Sequence, residues 1–457
     1  MTEERSLGTY IPHTDEEIDA MLAFLGLAST EDLFAVVPEA VRLQHSLELA
    51  DGCAEPDVLA HMEAIGGQNR ARSDQLVCFA GGGAYDHEVP PVVRALAGRS
   101  EFVTSYTPYQ AEVAQGVLQA IFEYQTLIAR LAGLPIANAS LYDGGSAVVE
   151  AVNLSVAVTG RPVVWVSAGV HPHWRQMLST FAAGTGHVIR TVPLRDGLTD
   201  WDSVGEVTSP EDAPGAVVVG YPNYLGCLED LGAARSLCDR TGALLVAATD
   251  PVVAGICRSV GEWGADVMVG EGQVFGTPLG FGGPYLGLFA IAQKHVRRLP
   301  GRLVGETRDV AGRRAYVTTL RTREQDIRRE KATSNVCTNQ TLMAVTAAIQ
   351  LGWLGTAGLV DLARRCATAT HYTREGLLRL PGVSPLASAP VVREFAVRLP
   401  LPASVVVDRM ADAGFLAGIA LEPQFAPDQD GLLVAVTERR TREEIDAYVT
   451  AMGKALS

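Results

Sequence analysis

Two places in this chain hold residue types that could do chemistry together, and one residue that such chemistry needs is missing. Asp250 ends the apolar run Ala243-Leu244-Leu245-Val246-Ala247-Ala248, so a buried strand would deliver its carboxylate to the edge of a sheet. Asp143-Gly144-Gly145-Ser146 stands between a strand-like and a helix-like stretch. Its backbone N–H groups and the helix start could receive a phosphate, and an ordinary glycine turn would have the same composition. An acid and an anion cup on one rim suit chemistry on an imine-bound group, whose attachment point is a lysine amine. The first lysine of the sequence is Lys294, and only Lys331 and Lys454 follow it. The remaining basic residues are arginines, whose guanidinium cannot form an imine. Past Asp250 the chain continues through Val269-Gly270-Glu271-Gly272-Gln273 without a lysine.

Other polar segments have two readings each. His171-Pro172-His173-Trp174-Arg175 offers imidazoles at i, i+2 without a third ligand, which reads as a helix-start surface rather than a metal site. The glycine- and proline-rich loop Phe275–Pro284 would either cradle a ligand or form a rigid inter-subunit loop, and we favour the latter. Tyr106-Thr107-Pro108-Tyr109-Gln110 and Thr333-Ser334-Asn335-Val336-Cys337-Thr338-Asn339-Gln340 gather hydroxyls and amides that are costly to bury without specific partners. They read as capping turns or, the reading we favour, as contacts to a partner chain or substrate channel. The basic run Arg321, Arg323, Arg328, Arg329 and Lys331 alternates with Glu324, Asp326 and Glu330, and reads as a solvated helix face.

The elements that must position these residues fall into three regions. Residues 1–135 read as helical. Thr14 and Glu17 have capping-box spacing, Ser29 opens a second helix, and Val113, Val117, Ile121, Tyr124, Ile128 and Leu131 form a helical stripe closed by Gly133. Residues 136–350 alternate strands and helices as a parallel α/β sheet does. The expected strands are Ala137–Tyr142, Pro162–Ser167, His187–Val192, Ala216–Gly220, Ala243–Thr249, Ala265–Gly270 and Tyr285–Ile291. Ligands of such sheets sit beyond the strands' carboxyl ends, which puts Tyr142–Ser146, Tyr221-Pro222-Asn223 and Asp250 on one rim. Residues 351–457 read as a small α+β domain with strands Arg393–Leu399 and Gly431–Thr437 and helices Pro402–Ala413 and from Thr441.

Composition narrows the function classes. A 47% hydrophobic chain with 19% charged residues has the means to fold throughout. A net charge of −15 argues against nucleic acid or an anionic membrane as partner. Seven scattered cysteines lack zinc-like spacing and read as reduced thiols of a cytoplasmic protein. The N-terminus lacks an apolar signal core, and no uninterrupted apolar run reaches membrane-spanning length. No metal is expected. A nucleotide-dependent oxidoreductase would need a G-x-G-x-x-G after its first strand, and none is present.

The large-then-small layout is that of enzymes that use pyridoxal 5′-phosphate (PLP) on fold type I, a mostly parallel sheet sandwiched by helices with a small C-terminal α+β domain. Longer strings sharpen the likeness: Gly83-Ala84-Tyr85-Asp86-His87, Ser105–Gln110, Gly116–Glu123, Ala137–Gly144, Gly264-Ala265-Asp266, Gly270-Glu271-Gly272-Gln273, Phe281–Gly287 and Arg321–Gln340. With them the chain closely resembles the glycine-decarboxylating P-protein family of the glycine cleavage system, in its split form. That resemblance implies a first subunit that pairs with a second, the second carrying PLP on its own lysine, in an α2β2 heterotetramer. Glycine would lose CO2, and its aminomethyl group would pass to the lipoyl group of H-protein. On this reading no residue here is the imine-forming nucleophile. Tyr106, Thr107, Tyr109, Gln110, Ser334, Asn335, Thr338 and Asn339 would be lent to the shared site or channel, and the Arg321–Arg329 run would steer an acidic carrier. Asp143, Gly144, Ser146 and Asp250 would be remnants of an empty cofactor pocket. The alternative is a purely structural subunit of the same complex.

Overall fold

The structure, a computed structural model, describes residues 12–43, 45, 47–69, 76–105, 108–207, 209, 211–332 and 334–457. The chain divides into two compact units, Met1–Asn69 and Arg70–Ser457. In the first, the helix Asp15–Leu25 opens on the expected capping box, with Thr14 and Glu17 exchanging side-chain-to-backbone hydrogen bonds of 3.3 and 2.8 Å. Ser29 opens only a 3-10 turn, Thr30–Phe34, rather than a helix. The helix Glu55–Gly66 follows. Leu22 is the buried hydrophobic residue here, while Phe24 and Val36 are 90% and 89% exposed.

The second unit is built on a seven-stranded sheet: β1 Ile136–Ala137, β2 Val163–Ser167, β3 Val188–Val192, β4 Ala216–Tyr221, β5 Leu244–Thr249, β6 Val267–Glu271 and β7 Gly287–Ile291. Their order across the sheet is β1-β7-β6-β5-β4-β2-β3. The run from β6 to β3 is parallel, whereas β7 is antiparallel to both of its neighbours. The strands bury both faces, and their alternation assigns each residue a side. Val217, Val219, Leu245 and Ala247 face one core with Tyr124, Ile128, Leu231 and Ala344; Ala216, Val218, Leu244 and Val246 face another with Ala147, Val148 and Leu178. Helices Gln115–Ala132, Leu231–Thr241 and Thr341–Leu378 therefore cover one face, and Gly144–Thr159 and Pro172–Thr185 the other.

The edge strand β1 is shorter than the sequence suggests. After Ala137 the side chain of Asn138 accepts from the Ser140 N–H, Ser140 turns to φ 108°, and pairing with β7 resumes at the single bridge Leu141–Gly287. The 38-residue helix Thr341–Leu378 kinks at Gly355 (φ 59°, ψ −176°). By length and composition it could cross a membrane, which a search for uninterrupted apolar runs passes over. In this fold its residues Ala344, Ala347, Leu351, Leu359, Leu362 and Ala363 are core of the large sheet.

A small antiparallel sheet orders Ser384–Pro385, Glu394–Arg398, Gly431–Ala435 and Ile419–Ala420, with helices Ala403–Asp412 and Arg442–Ala455. The last helix opens on the expected Thr441–Glu444 capping box. The strand Val77–Cys78 pairs with Phe415–Leu416, and Phe79 stacks on Tyr448 at 3.9 Å. From there residues 80–89 cross towards the large sheet.

Candidate functional site

The carboxyl ends of the parallel strands converge as expected. Asp143 caps the helix Gly144–Thr159 by accepting from Ser146 N at 2.7 Å, and Ser146 Oγ donates back at 3.1 Å. The next N–H of that helix, on Gly144, donates to Glu271 Oε2 at 3.0 Å. Glu271 ends β6, and its other oxygen accepts from Gln273 N and Leu286 N at 2.9 and 2.8 Å. Burial pushes the Glu271 carboxyl up to about 7, and the three N–H groups oppose that rise. Glycine is required at position 144, because a Cβ there would run into the Trp174 ring.

Asp250 follows β5, accepts from Val252 N at 3.0 Å and pairs with Arg393 Nη2 at 2.5 Å. Arg393 is 3% exposed. Its guanidinium lies 3.5 Å from the centre of the Tyr85 ring and donates to His87 Nε2, while His87 Nδ1 donates to Glu438 at 2.6 Å. Glu394 accepts from Gly82 N at 2.6 Å and from Tyr85 Oη at 2.9 Å, and burial lifts its carboxyl to about 7. The string Gly83–His87 is thus a strap over the rim. Gln273 holds Tyr85's backbone from the large sheet, and Asp86 pairs with Arg439 and Arg440 from the small one.

His171 caps the helix Pro172–Thr185, as its position after Val170 suggests, and also lines this pocket. Its ring stacks on Trp174, meets Tyr224 edge-on and donates from Nε2 to Gly82 O at 2.6 Å. Burial holds it down at about 4, so it is neutral at physiological pH. The space in this cleft measures ≈ 70 Å³, against roughly 300–1,000 Å³ for clefts that hold drug-sized ligands. Asp250, Glu271 and Arg393 line it; Asp143 and Ser146 bond to each other behind it.

These residues do not fit PLP in this chain. Glu271 takes the Gly144 N–H that a phosphate would use, and Arg393 takes the carboxylate that a pyridinium nitrogen would use. No lysine lines the pocket. Lys294 pairs with Asp266 at 2.8 Å, at the opposite end of β6 from Glu271, about 17 Å away at strand rise. His87, Cys366 and Glu438 do form a compact group of metal-ligand types, brought together from distant positions that spacing cannot reveal. They bond one another beside the Arg393 guanidinium, a charge that disfavours a cation there.

The two hydroxyl- and amide-rich segments meet each other, a contact that neither of their readings from sequence included. Tyr109 Oη bonds Thr338 Oγ1 at 2.7 Å and donates to Asn339 Oδ1 at 2.6 Å, under the Arg302 guanidinium at 4.6 Å. Asn339 is buried and donates to Ala139 O at 2.8 Å, while Gln340 N and Cys337 N donate to Ser140 Oγ and Tyr142 Oη. Ser334 Oγ accepts from Val336 N at 3.0 Å. Gln110, Asn335 and Thr338 are exposed. Tyr106 and Thr107 lie outside the described residues. The neighbouring basic run folds as single turns, and Arg323 is buried, donating to Gly301 O at 3.0 Å. A solvated helix face therefore describes only part of it.

With the geometry in hand, comparison decides the family. Residues 8–452 match the family described as glycine cleavage system P-protein. The chain belongs to the glycine cleavage system P-protein family. Relatives named "Probable glycine dehydrogenase (decarboxylating) subunit 1" include one from Moorella thermoacetica, 48% identical over 97% of this chain and 99% of its own length. Another, from Prosthecochloris aestuarii, is 46% identical over the same shares. A crystal structure of glycine decarboxylase (P-protein) of the glycine cleavage system, in inhibitor-bound form, superposes with a TM-score of 0.91 at 44% identity, covering 98% of this chain and 100% of that one. The cysteine desulfurase CsdA from Escherichia coli, 17% identical with a TM-score of 0.62 over 89% of this chain and 99% of its own, shares the fold. The P-protein chain thus has the fold-type-I architecture expected from its sequence.

Reading the sequence missed the pocket's resident side chains. Arg393 and Glu394 look like the start of a strand, and Glu271 like a vacancy. The available signal was two adjacent charges just before the apolar run Phe395-Ala396-Val397, since both are costly to bury unless paired.

Proposed function

We infer that this chain is subunit 1 of a two-subunit glycine dehydrogenase (decarboxylating). With subunit 2 it releases CO2 from glycine and passes the aminomethyl group to the lipoyl group of H-protein, in a cytoplasmic α2β2 heterotetramer. PLP supplies the electron sink for that decarboxylation and belongs to the partner, on a partner lysine. The observation that carries this reading is the pairing of near-full-length identity to subunit 1 relatives with a pocket that contains no lysine.

This chain's contribution lies in its polar loops. The Tyr109–Thr338–Asn339 bonds hold two segments in one fixed platform, and Gln110 and Asn335 stand outward from it. Such groups orient substrate or lipoyl atoms and narrow a channel by hydrogen bonding. Ser334 keeps the turn, with Glu150 facing it from the helix Gly144–Thr159; burial pushes that carboxyl up to about 7. Tyr106 and Thr107 stand next to this segment in sequence. The exposed arginines of the 321–329 run suit an acidic carrier surface. Apolar side chains exposed on the first unit, and Phe281 at 91% in the 275–284 loop, are surface that a partner subunit would cover.

The test is PLP reconstitution of the chain alone and with subunit 2, then borohydride reduction and peptide mapping. Label on the partner alone, with glycine decarboxylation only in the mixture, is the expected result. Label on Lys294 or Lys331 would overturn the reading.

A further inference from the structure

The strand-end pocket has a helix start and a carboxylate, the two fittings that a phosphorylated pyridine would use, yet each already has an occupant. The N-terminus of the 16-residue helix Gly144–Thr159 faces two carboxylates, Asp143 on Ser146 N and Glu271 on Gly144 N. A helix start carries about half a positive charge, so two carboxylates more than neutralise it. A phosphate bringing about −1.5 to −2 charges would be repelled there. The other fitting, Asp250, is held by a guanidinium that is itself fixed by the Tyr85 ring and His87. A pyridinium placed against Asp250 would meet that guanidinium at like charge.

Both occupants are bound too well to be accidental fillers. Glu271 accepts three backbone N–H groups from three separate segments. Arg393 comes from the small sheet's side of the molecule and Asp250 from the large sheet, so their pair also ties the two layers together.

We propose that the chain closes its own cofactor pocket, with Glu271 seated at the start of the helix Gly144–Thr159 and Arg393 seated against Asp250, so that a phosphorylated pyridine has no site here. The proposal deepens, and rests on, the reading that the cofactor belongs to the partner. Glu271 is the blocking residue for the phosphate, and removing its side chain alone uncovers the Gly144, Gln273 and Leu286 N–H groups. That leaves three unmet donors and no charge in the seat, a setting in which an anion becomes the natural occupant.

The experiment uses the full-length chain, wild type and Glu271→Ala, with Glu271→Ser as the milder variant that keeps a small polar side chain without the carboxylate. Equilibrium dialysis measures retention of pyridoxal 5′-phosphate, and thermal unfolding at fixed ionic strength compares inorganic phosphate with chloride. Inorganic phosphate is expected to bind the variants at least tenfold more tightly than the wild type, and pyridoxal 5′-phosphate to follow through its phosphate alone, its ring still kept from Asp250 by Arg393. Phosphate should raise the variants' melting temperature by about 2 °C or more and leave the wild type unmoved. If neither variant folds in chloride, phosphate-dependent recovery of folded chain is the expected result. Equal binding by wild type and variants, or no binding and no recovery in either variant, overturns the proposal. Borohydride labelling of the wild-type complex judges the partner-bound cofactor separately, so a failure here leaves that reading standing or falling on its own measurement.

Discussion

The strand-end pocket and the Tyr109 platform are both rich in polar groups, and they use them in opposite directions. In the pocket the charged side chains turn inward: Asp250 to Arg393, Arg393 to His87, His87 to Glu438, Glu271 to three backbone N–H groups. Around Tyr109 the bonds fix backbone and buried amide, while Gln110, Asn335 and Thr338 remain exposed. Buried polar groups must be paired within the chain, whereas exposed ones are free to meet something else. The pocket's charges therefore act as a structural joint, while the exposed side chains of Gln110 and Asn335 in the loops are left unpaired among the described residues.

The most severe way to break that contrast is Arg393→Met. It strips Asp250, whose side chain is 14% exposed, of its cation; breaking a fully buried pair costs about 3–5 kcal/mol, and the loss here lies at the lower end of that range. Thermal unfolding of the full chain should show that loss, while glycine decarboxylation per correctly assembled complex stays near wild type. A large activity loss without a stability loss would mean that the pocket works in catalysis after all.

Glu394→Gln sharpens the same point through pH. Burial raises the folded Glu394 carboxyl from 4.5 to about 7, so the folded state holds its proton more tightly than the unfolded chain does. Stability from this group is full below about pH 4.5 and is lost as pH rises through 7, by up to about 3 kcal/mol. The glutamine accepts from Gly82 N as before and never ionises. The variant should match wild type in melting temperature near pH 5 and exceed it at pH 8. A difference that does not depend on pH would show that Glu394 keeps an ordinary titration.

Most of the scaffold was legible because it follows from local rules. Apolar runs such as Ala216–Tyr221 have one reading once helices flank them, and Thr14–Glu17 and Thr441–Glu444 declare helix starts by spacing alone. The two hydroxyl- and amide-rich segments were legible as runs of like character, but the bond of Tyr109 to Thr338 was not, because they lie 229 positions apart in sequence. Arg393 and Glu271 were illegible for a different reason. What makes them important is which distant group each one neutralises, and a charge carries no mark of its partner in the sequence. The His87–Cys366–Glu438 group was hidden in the same way.

Tyr109→Phe separates the two regions by the ratio of its effects. It removes one hydroxyl that serves both Thr338 and Asn339, which costs stability only about 0.5–1.5 kcal/mol. A platform displaced by a fraction of an ångström, however, lowers turnover by at least about tenfold if it orients a reacting group. Steady-state decarboxylation by the assembled complex, read beside thermal unfolding, distinguishes the cases. Unchanged turnover would leave the platform as scaffolding and the chain as a structural subunit.

Asn335→Ala is the gentlest change and the cleanest reading of what the chain offers outward. The side chain is exposed, so stability should move by no more than about 0.5 kcal/mol, and neither PLP labelling of the partner nor assembly should change. If Asn335 bonds substrate or carrier in the complex, kcat/KM for H-protein or glycine falls several-fold. Which of the two falls identifies the group it faces. A fall for H-protein alone places the platform on the carrier's route, and a fall for both places it at the reacting centre. Because this side chain is exposed and bonds none of the described residues, a lost rate cannot be blamed on a weakened fold, which is the ambiguity that every substitution in the pocket carries.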